Sequence, residues 1–294
     1  MAQPVIIDER PAAPPPAAHR NHADELAGIE LSLLLEAMLR WRGYDFRDYS
    51  AATLKRRVAE RMRGENVETI SGLQERFLHD EDALRRFVFA MSANTNRLFR
   101  APEYFRAIRQ RVVTFLRTYS FARLWFPACS TGEDVYTILA ILFEEELLDR
   151  CMLYATDLSD LALAQAREGV FEINSYEEFS NDYLLSGGRK SVSDFCEYAD
   201  GKVTFNDMLK RNLIFATHSL ATDASLNEFH AIIARGVLPQ FNKTLQYRVH
   251  NLFLQSLSRF GFVCLSSAES LRSTPHEGAF KKVDDVFPIY RRMR

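Results

Sequence analysis

Cysteine is scarce in this sequence. Four residues, at 129, 151, 196 and 264, lie far apart with no CxxC pair. That spacing argues against a zinc site and against a disulfide framework, and it points to a reducing, cytoplasmic setting. Long apolar runs are missing as well. None approaches the roughly 18 residues of a membrane span, so membrane insertion is not expected. The start, Met1-Ala2-Gln3-Pro4, lacks the basic and then apolar order of a secretory signal. Charge of either sign is not in excess: 37 Lys and Arg against 39 Asp and Glu give a net −2. No bulk field therefore recruits nucleic acid or an anionic membrane. His218, His230 and His250 have no carboxylate or cysteine at ligand spacing, so no metal site is expected. No internal repeat is apparent.

What is present begins with a tail. Pro11, Pro14, Pro15 and Pro16 sit among alanines, and residues 1–27 read as disordered. Residues 28–92 read as a small all-α domain. Its first helix carries Ile29, Leu33, Leu34, Ala37, Met38 and Trp41 and ends at Gly43; a second follows Ser50 with Leu54, Val58 and Met62. The second helix has a cationic face of Lys55, Arg56, Arg57, Arg61 and Arg63. Two further helices are expected around 70–78 and 84–91. Residues 93–294 then alternate strand and helix, the pattern of an α/β domain with a parallel sheet. Residues 172–207 interrupt that alternation and read as a β-rich insert. Asp200-Gly201 marks a hairpin within it. Strands are expected at 213–216 and 229–234, a helix at 245–257, and a closing pair at 262–265 and 286–290.

The stretch around which the α/β domain is organised is Trp125-Phe126-Pro127-Ala128-Cys129-Ser130-Thr131-Gly132-Glu133-Asp134. An apolar strand runs into it and an amphipathic helix leaves it. That is how a nucleotide-type site opens at the end of a parallel strand. Gly132 is alone in the turn, short of the GxGxxG a pyrophosphate needs, which disfavours a nicotinamide enzyme. The turn suits a nucleoside without phosphates. Glu133 at the helix start favours a cationic ligand, since it opposes the anion-binding character of that helix end. Asp157 ends the next strand and is placed to accept hydrogen bonds from ribose hydroxyls.

Several patterns resemble the CheR family, methyltransferases that esterify chemoreceptor glutamates using S-adenosylmethionine. They are Tyr44-Asp45-Phe46…Tyr49…Thr53-Leu54-Lys55-Arg56-Arg57…Arg61-Met62, Asn94…Phe99-Arg100, Cys129-Ser130-Thr131-Gly132-Glu133 with Tyr136, Ala155-Thr156-Asp157-Leu158-Ser159, and Ala268-Glu269-Ser270-Leu271. The resemblance covers about residues 29–294. It implies an α/β, Rossmann-like S-adenosylmethionine-dependent methyltransferase domain with a small β-subdomain insert, preceded by an all-α domain. It also implies roles: Asn94 and Arg100 near the methionine end and the transferred methyl, Glu133 at the cofactor, Asp157 at the ribose, and Leu220 and Arg235 among the cofactor-binding positions. S-adenosylhomocysteine would be the product. Acidic receptor helices would dock on Lys55, Arg56, Arg57 and Arg61, and a monomer is expected.

The chain also departs from the family pattern. Asn96 stands for a Thr, Ser219 for an Asn, Ala128 for a Gly and His230 for an Asp. The family's Cys-Arg-Asn-Val-Leu-Ile-Tyr-Phe reads Ala234-Arg235-Gly236-Val237-Leu238-Pro239-Gln240-Phe241. An adenosine-contacting Asn is thus Gly236, and a Tyr near the methyl is Gln240. Two readings follow: an active protein-glutamate methyltransferase using Arg100 to guide the incoming carboxylate, and a CheR-like regulator that binds a partner or small ligand without methyl transfer.

Overall fold

The structure, a computed structural model, describes residues 17–92 and 97–294. Four helices come first: α1 (Ala17–Arg42), α2 (Ala51–Gly64), α3 (Ile70–His79) and α4 (Glu81–Ser92). The expected tail is therefore helical from Ala17 onward; residues 1–16 lie outside the described residues. The prolines end at Pro16, and the alanine-rich, leucine-containing stretch after them has high helix propensity. Ser50 caps α2 by accepting the Thr53 N–H at 3.2 Å, and Thr69 caps α3 by accepting the Gly72 N–H at 3.0 Å. Leu34, Met38, Phe46, Leu54, Val58, Leu73, Phe77 and Phe87 make one buried core. The face of α1 differs from the expected one. Leu34, Leu35 and Met38 go inward, whereas Ile29, Leu33 and Trp41 are exposed.

The chain then enters α5 (Pro102–Ile108), which continues through a π-helical turn (Arg109–Val113) into a last turn, α6 (Thr114–Leu116). Seven strands form the main sheet in the order β6-β2-β1-β7-β8-β10-β9. They are β1 (Ala122–Pro127), β2 (Cys151–Asp157), β6 (Leu213–Thr217), β7 (Phe229–Ala234), β8 (Leu257–Leu265), β9 (Phe280–Lys282) and β10 (Ile289–Arg292). Only β10 runs against the others. Helices α7 (Glu133–Glu144), α8 (Asp160–Glu168) and α10 (Lys243–Ser256) connect and cover the strands. Strand order reverses at β1, with β2 on one side and β7 on the other. A crevice at the carboxyl ends of these strands is where such a sheet binds its ligand. The closing pair is β8 with β10. Val286, expected in the last strand, lies before it and is 76% exposed.

A second sheet, β3-β5-β4, is antiparallel: β3 (Val170–Glu172), β4 (Cys196–Ala199) and β5 (Lys202–Phe205). Asp200 and Gly201 turn the β4–β5 hairpin with φ of 51° and 76°, the primed geometry that the Asp-Gly pair favours. The insert also holds a helix, α9 (Tyr176–Leu185), which the β-rich reading omitted. Ser175 caps it, and Phe179 and Tyr183 are buried.

The helical group is docked on the sheet. Ser50 donates its N–H to the Gln240 carbonyl at 2.8 Å, and Asn242 donates to the Asp48 carbonyl at 2.8 Å. The Tyr49 ring meets Phe241 edge-on at 5.0 Å. These contacts place the helical group over the carboxyl ends of β1, β2 and β7. Among the described residues no helix is long and apolar enough to cross a membrane.

Candidate functional site

The turn after β1 is built from left-handed residues: Ala128, Ser130 and Gly132 have φ of 49°, 52° and 96°. Folding the chain back this tightly aims its amides at β2. Cys129 donates its N–H to the Thr156 carbonyl at 2.9 Å, and Ser130 donates to Asp157 Oδ2 at 2.9 Å. A Cβ at Gly132 would stand 3.2 Å from that of Ala166, in a conformation that L side chains rarely adopt. Ala128 takes up such a conformation with a Cβ, at a position where the family pattern has Gly; the cost is on the order of 1 kcal/mol.

Two acidic residues start α7, and their surroundings differ. Glu133 Oε1 accepts from the Thr131 hydroxyl at 2.6 Å. Its Oε2 is buried and has no hydrogen-bond partner among the described residues. Burial pushes the Glu133 carboxyl above the usual range. Asp134 instead pairs with the Arg235 guanidinium at 2.5 Å. Burial raises Asp134, and Arg235 opposes the rise. Arg235 also donates to the Arg100 carbonyl at 3.0 Å and lies over the rings of Tyr104 and Phe105 at 4.7 and 4.8 Å.

Asp157 ends β2 and is 1% exposed. Its Oδ1 accepts the Ser159 N–H at 2.8 Å, while its Oδ2 takes Ser130. Burial raises its carboxyl, and the Ser92 side chain, with the backbone amides of Ser159, Ser130 and Leu158, opposes the rise. The N-cap of α8 is Ser159, which accepts from Ala162 at 3.2 Å, so Asp157 is not the cap. Asp157 and Leu220 line one cavity of about 30 Å³ with Ala128, His218, Ser219 and Gln240; Tyr49, Met91 and Ser92 close it from the helical group. Glu133 lines a larger cleft of about 500 Å³, with Leu98, Thr131, Glu168, Phe171 and Lys202.

The wall at 234–241 is held by Glu269. Its carboxylate accepts the N–H groups of Gly236 (2.9 Å), Val237 (2.9 Å) and Leu238 (2.8 Å), and that of Ser266 (2.7 Å). Gly236 has φ of 73°, and nothing lies within 4 Å of a Cβ built on it. Gln240 donates its side-chain amide to the Gly236 carbonyl at 3.3 Å. The departures do not all share this wall. His230 lies at the far end of the sheet, where its Nδ1 accepts the Arg123 N–H at 2.9 Å and its ring meets Tyr119 at 4.4 Å.

Of the six expected site residues, Asp157 and Leu220 meet in one cavity and Glu133 lines a separate cleft. Arg235 does not line either; its guanidinium is taken up by Asp134 and the Arg100 carbonyl. Arg100 has an exposed side chain. Asn94, and Asn96 among the departures, lie outside the described residues. Tyr49, Ser92 and Glu269 were not singled out as site residues from the sequence. The first two come from a domain that carries no catalytic signal of its own. Glu269 sits more than 30 residues from the Gly236, Val237 and Leu238 amides it accepts, a separation that no local pattern reveals. Among the described residues no group of His, Cys, Asp or Glu is placed to hold a metal ion.

Comparison with known proteins covers both parts of the chain. Residues 94–286 match the family described as CheR methyltransferase, SAM binding domain, and residues 29–92 match CheR methyltransferase, all-alpha domain. Cher3 of Pseudomonas putida, a protein that carries the name of a methyltransferase, is 38% identical over 264 residues; the match covers 90% of this chain and 97% of that one. The chemotaxis protein methyltransferase of Listeria monocytogenes is 26% identical, over 78% of this chain and 85% of its own. Chemotaxis protein methyltransferase 1 of Pseudomonas aeruginosa is also 26% identical, over 74% and 82%.

Proposed function

The chain belongs to the CheR methyltransferase family, with S-adenosylmethionine as cofactor, and from that premise we propose that it methylates glutamate side chains of chemoreceptor-like proteins. The observation that carries the reading is the buried Glu133 Oε2 beside the left-handed turn, which has no hydrogen-bond partner among the described residues. A buried acceptor left unsatisfied costs stability unless a ligand donates to it, and the positively charged end of the cofactor is a fitting donor. Asp157 fits as well. A carboxylate has about four acceptor sites, and two backbone donors leave room for ribose hydroxyls. Leu220 would supply an apolar wall. Asn94 would reach the methionine end by family likeness alone.

The cofactor supplies the methyl group. The chain's own residues have to bind, orient and exclude water. A substrate glutamate is ionised at neutral pH, its reference pKa being about 4.3, so no general base is required. Alignment for in-line displacement contributes roughly 7–11 kcal/mol in well-oriented reactions. Arg100 is the residue we assign to guide the carboxylate, since a guanidinium pairs with it bidentately. Arg235 would act as a positioning residue by holding the Arg100 backbone. Docking of an acidic receptor helix would use α2. There Arg56 and Arg57 share Glu60, and Arg61 pairs with Glu65, so a docking helix would compete with these internal partners.

A second reading, binding without transfer, is favoured by Gly236 and Gln240 and by the small volume beside Asp157. Calorimetry with S-adenosylhomocysteine and base-labile incorporation of labelled methyl into receptor helices separate the two. The active reading expects micromolar binding, incorporation, and a loss of about a hundredfold in kcat/KM for Arg100→Ala. Binding without incorporation into any of several cognate receptors would leave only the second.

A further inference from the structure

Helix α1 has two apolar faces, and the fold covers one of them. Leu34, Leu35 and Met38 enter the core at 0%, 6% and 3% exposure. Leu26, Ile29, Leu33 and Trp41 stand outside at 52%, 60%, 56% and 58%. Positions 29, 33, 37 and 41 are four apart, so with Ala37 between the larger side chains they form a ridge along the helix. From Leu26 to Trp41 the stripe runs about 22 Å. Isolated exposed leucines need no explanation, but a contiguous stripe ending in a tryptophan marks an interaction surface.

Ridge shape and charge select the occupant. Ridges of the four-residue kind interdigitate with ridges of the same kind at a crossing of about −50°. Ala37 leaves room for Ile29 of the facing copy. A two-fold pair brings the same surface against itself. Glu25 continues the ridge at its amino-terminal end and Arg40 flanks it at the other end, and both are exposed. The side chain of Arg40 is 79% exposed and pairs with Glu36 of its own helix at 2.6 Å. Antiparallel pairing centred near Leu33 sets Glu25 of each copy opposite Arg40 of the other. An acidic helix is a poor match, because exposed Glu25 and the Glu36 beside Arg40 already border the stripe.

We propose that two copies of this chain associate antiparallel through Leu26, Ile29, Leu33, Ala37 and Trp41 of α1, with Glu25–Arg40 pairs fixing the register. The sequence by itself predicts a monomer, and the experiment below decides between the two. The contact is small beside the roughly 1,200–2,000 Å² of a standard interface, so association is concentration-dependent.

Sedimentation velocity on the full chain, from about one to about two hundred micromolar, tests it at the weak end of specific association. The expected result is a monomer–dimer equilibrium that Leu33→Glu abolishes with unchanged circular dichroism. Arg40→Glu should weaken the dimer severalfold, and adding Glu25→Arg should restore it. The charge pair keeps the test readable if Leu33→Glu does not fold. A monomer at every concentration, a dimer indifferent to Leu33→Glu, or a swap that fails to restore association would each overturn the proposal.

Discussion

Gly236 is the residue on which the cofactor wall turns. Its φ of 73° is left-handed, a conformation in which Asn is the most tolerated residue after Gly. The exchange of the family's Asn for Gly therefore keeps the backbone and loses only the side-chain amide. With no atom within 4 Å of the built Cβ, Gly236→Asn has space for that amide. We expect S-adenosylhomocysteine to bind about three- to tenfold tighter to Gly236→Asn, equivalent to roughly 0.5–1.5 kcal/mol for one hydrogen bond, with the melting temperature lowered by about one or two degrees because a side chain in this left-handed conformation is strained. Calorimetry and a thermal melt check this; unchanged or weaker binding would show that the amide does not reach the ligand. At Ala128 the relation is reversed, since Ala now occupies a left-handed position that suits Gly. Both positions were legible as departures from a pattern, but their backbone angles were not.

At the scale of the element, the segment between β7 and α10 is a case of distant support. The 3-10 turn Leu238–Gln240 has no side-chain cap of its own. Glu269, 5% exposed, accepts the amides leading into it. Hydrogen bonds to a charged group contribute about 1.5–3 kcal/mol each in favourable cases, and their losses do not add fully. Glu269→Ala is expected to destabilise the fold by about 2–4 kcal/mol and to weaken cofactor binding. Urea unfolding at unchanged slope measures the first and calorimetry the second. A variant as stable as the parent would mean that water replaces the carboxylate. Helices α1 and α9 show what periodicity alone leaves open. The sequence of α1 has apolar residues on two faces, so the pattern did not select the buried one. In α9 the buried spacing was present but lay among polar and turn-forming residues.

For the whole molecule, His250 links stability to pH. It lies in α10, 1% exposed, with neither ring nitrogen hydrogen-bonded among the described residues. Burial, with a smaller contribution from His276, lowers its pKa to about 4. Between the unfolded value of about 6.5 and that folded value, the unfolded chain binds a proton that the native state refuses. Stability is therefore fully present above about pH 6.5 and falls as pH drops towards 4, by on the order of 3 kcal/mol from this group. His250→Leu is expected to flatten that part of the profile, read from urea midpoints at pH 7.5, 5.5 and 4.5. A slope unchanged by the substitution would place the acid sensitivity in other groups.

The strand–turn–helix after Trp125, the carboxylate one strand away and the order of the motifs were determined by the sequence. These depend on local backbone chemistry: an apolar run, residues suited to a tight turn, and helical spacing. Such signals fixed the α/β class and the positions of Glu133 and Asp157. Tertiary structure decided which of the expected residues share a cavity. It drew Arg235 into a part-buried pair with Asp134, brought Tyr49 and Ser92 over Asp157, and set Glu269 beneath the wall at 236–238. It also left one apolar face of α1 in solvent. These outcomes rest on contacts between residues far apart in the chain, where burial and hydrogen-bond satisfaction are settled only after the elements pack. The turn at 125–134 could be read locally; the walls that complete it could not.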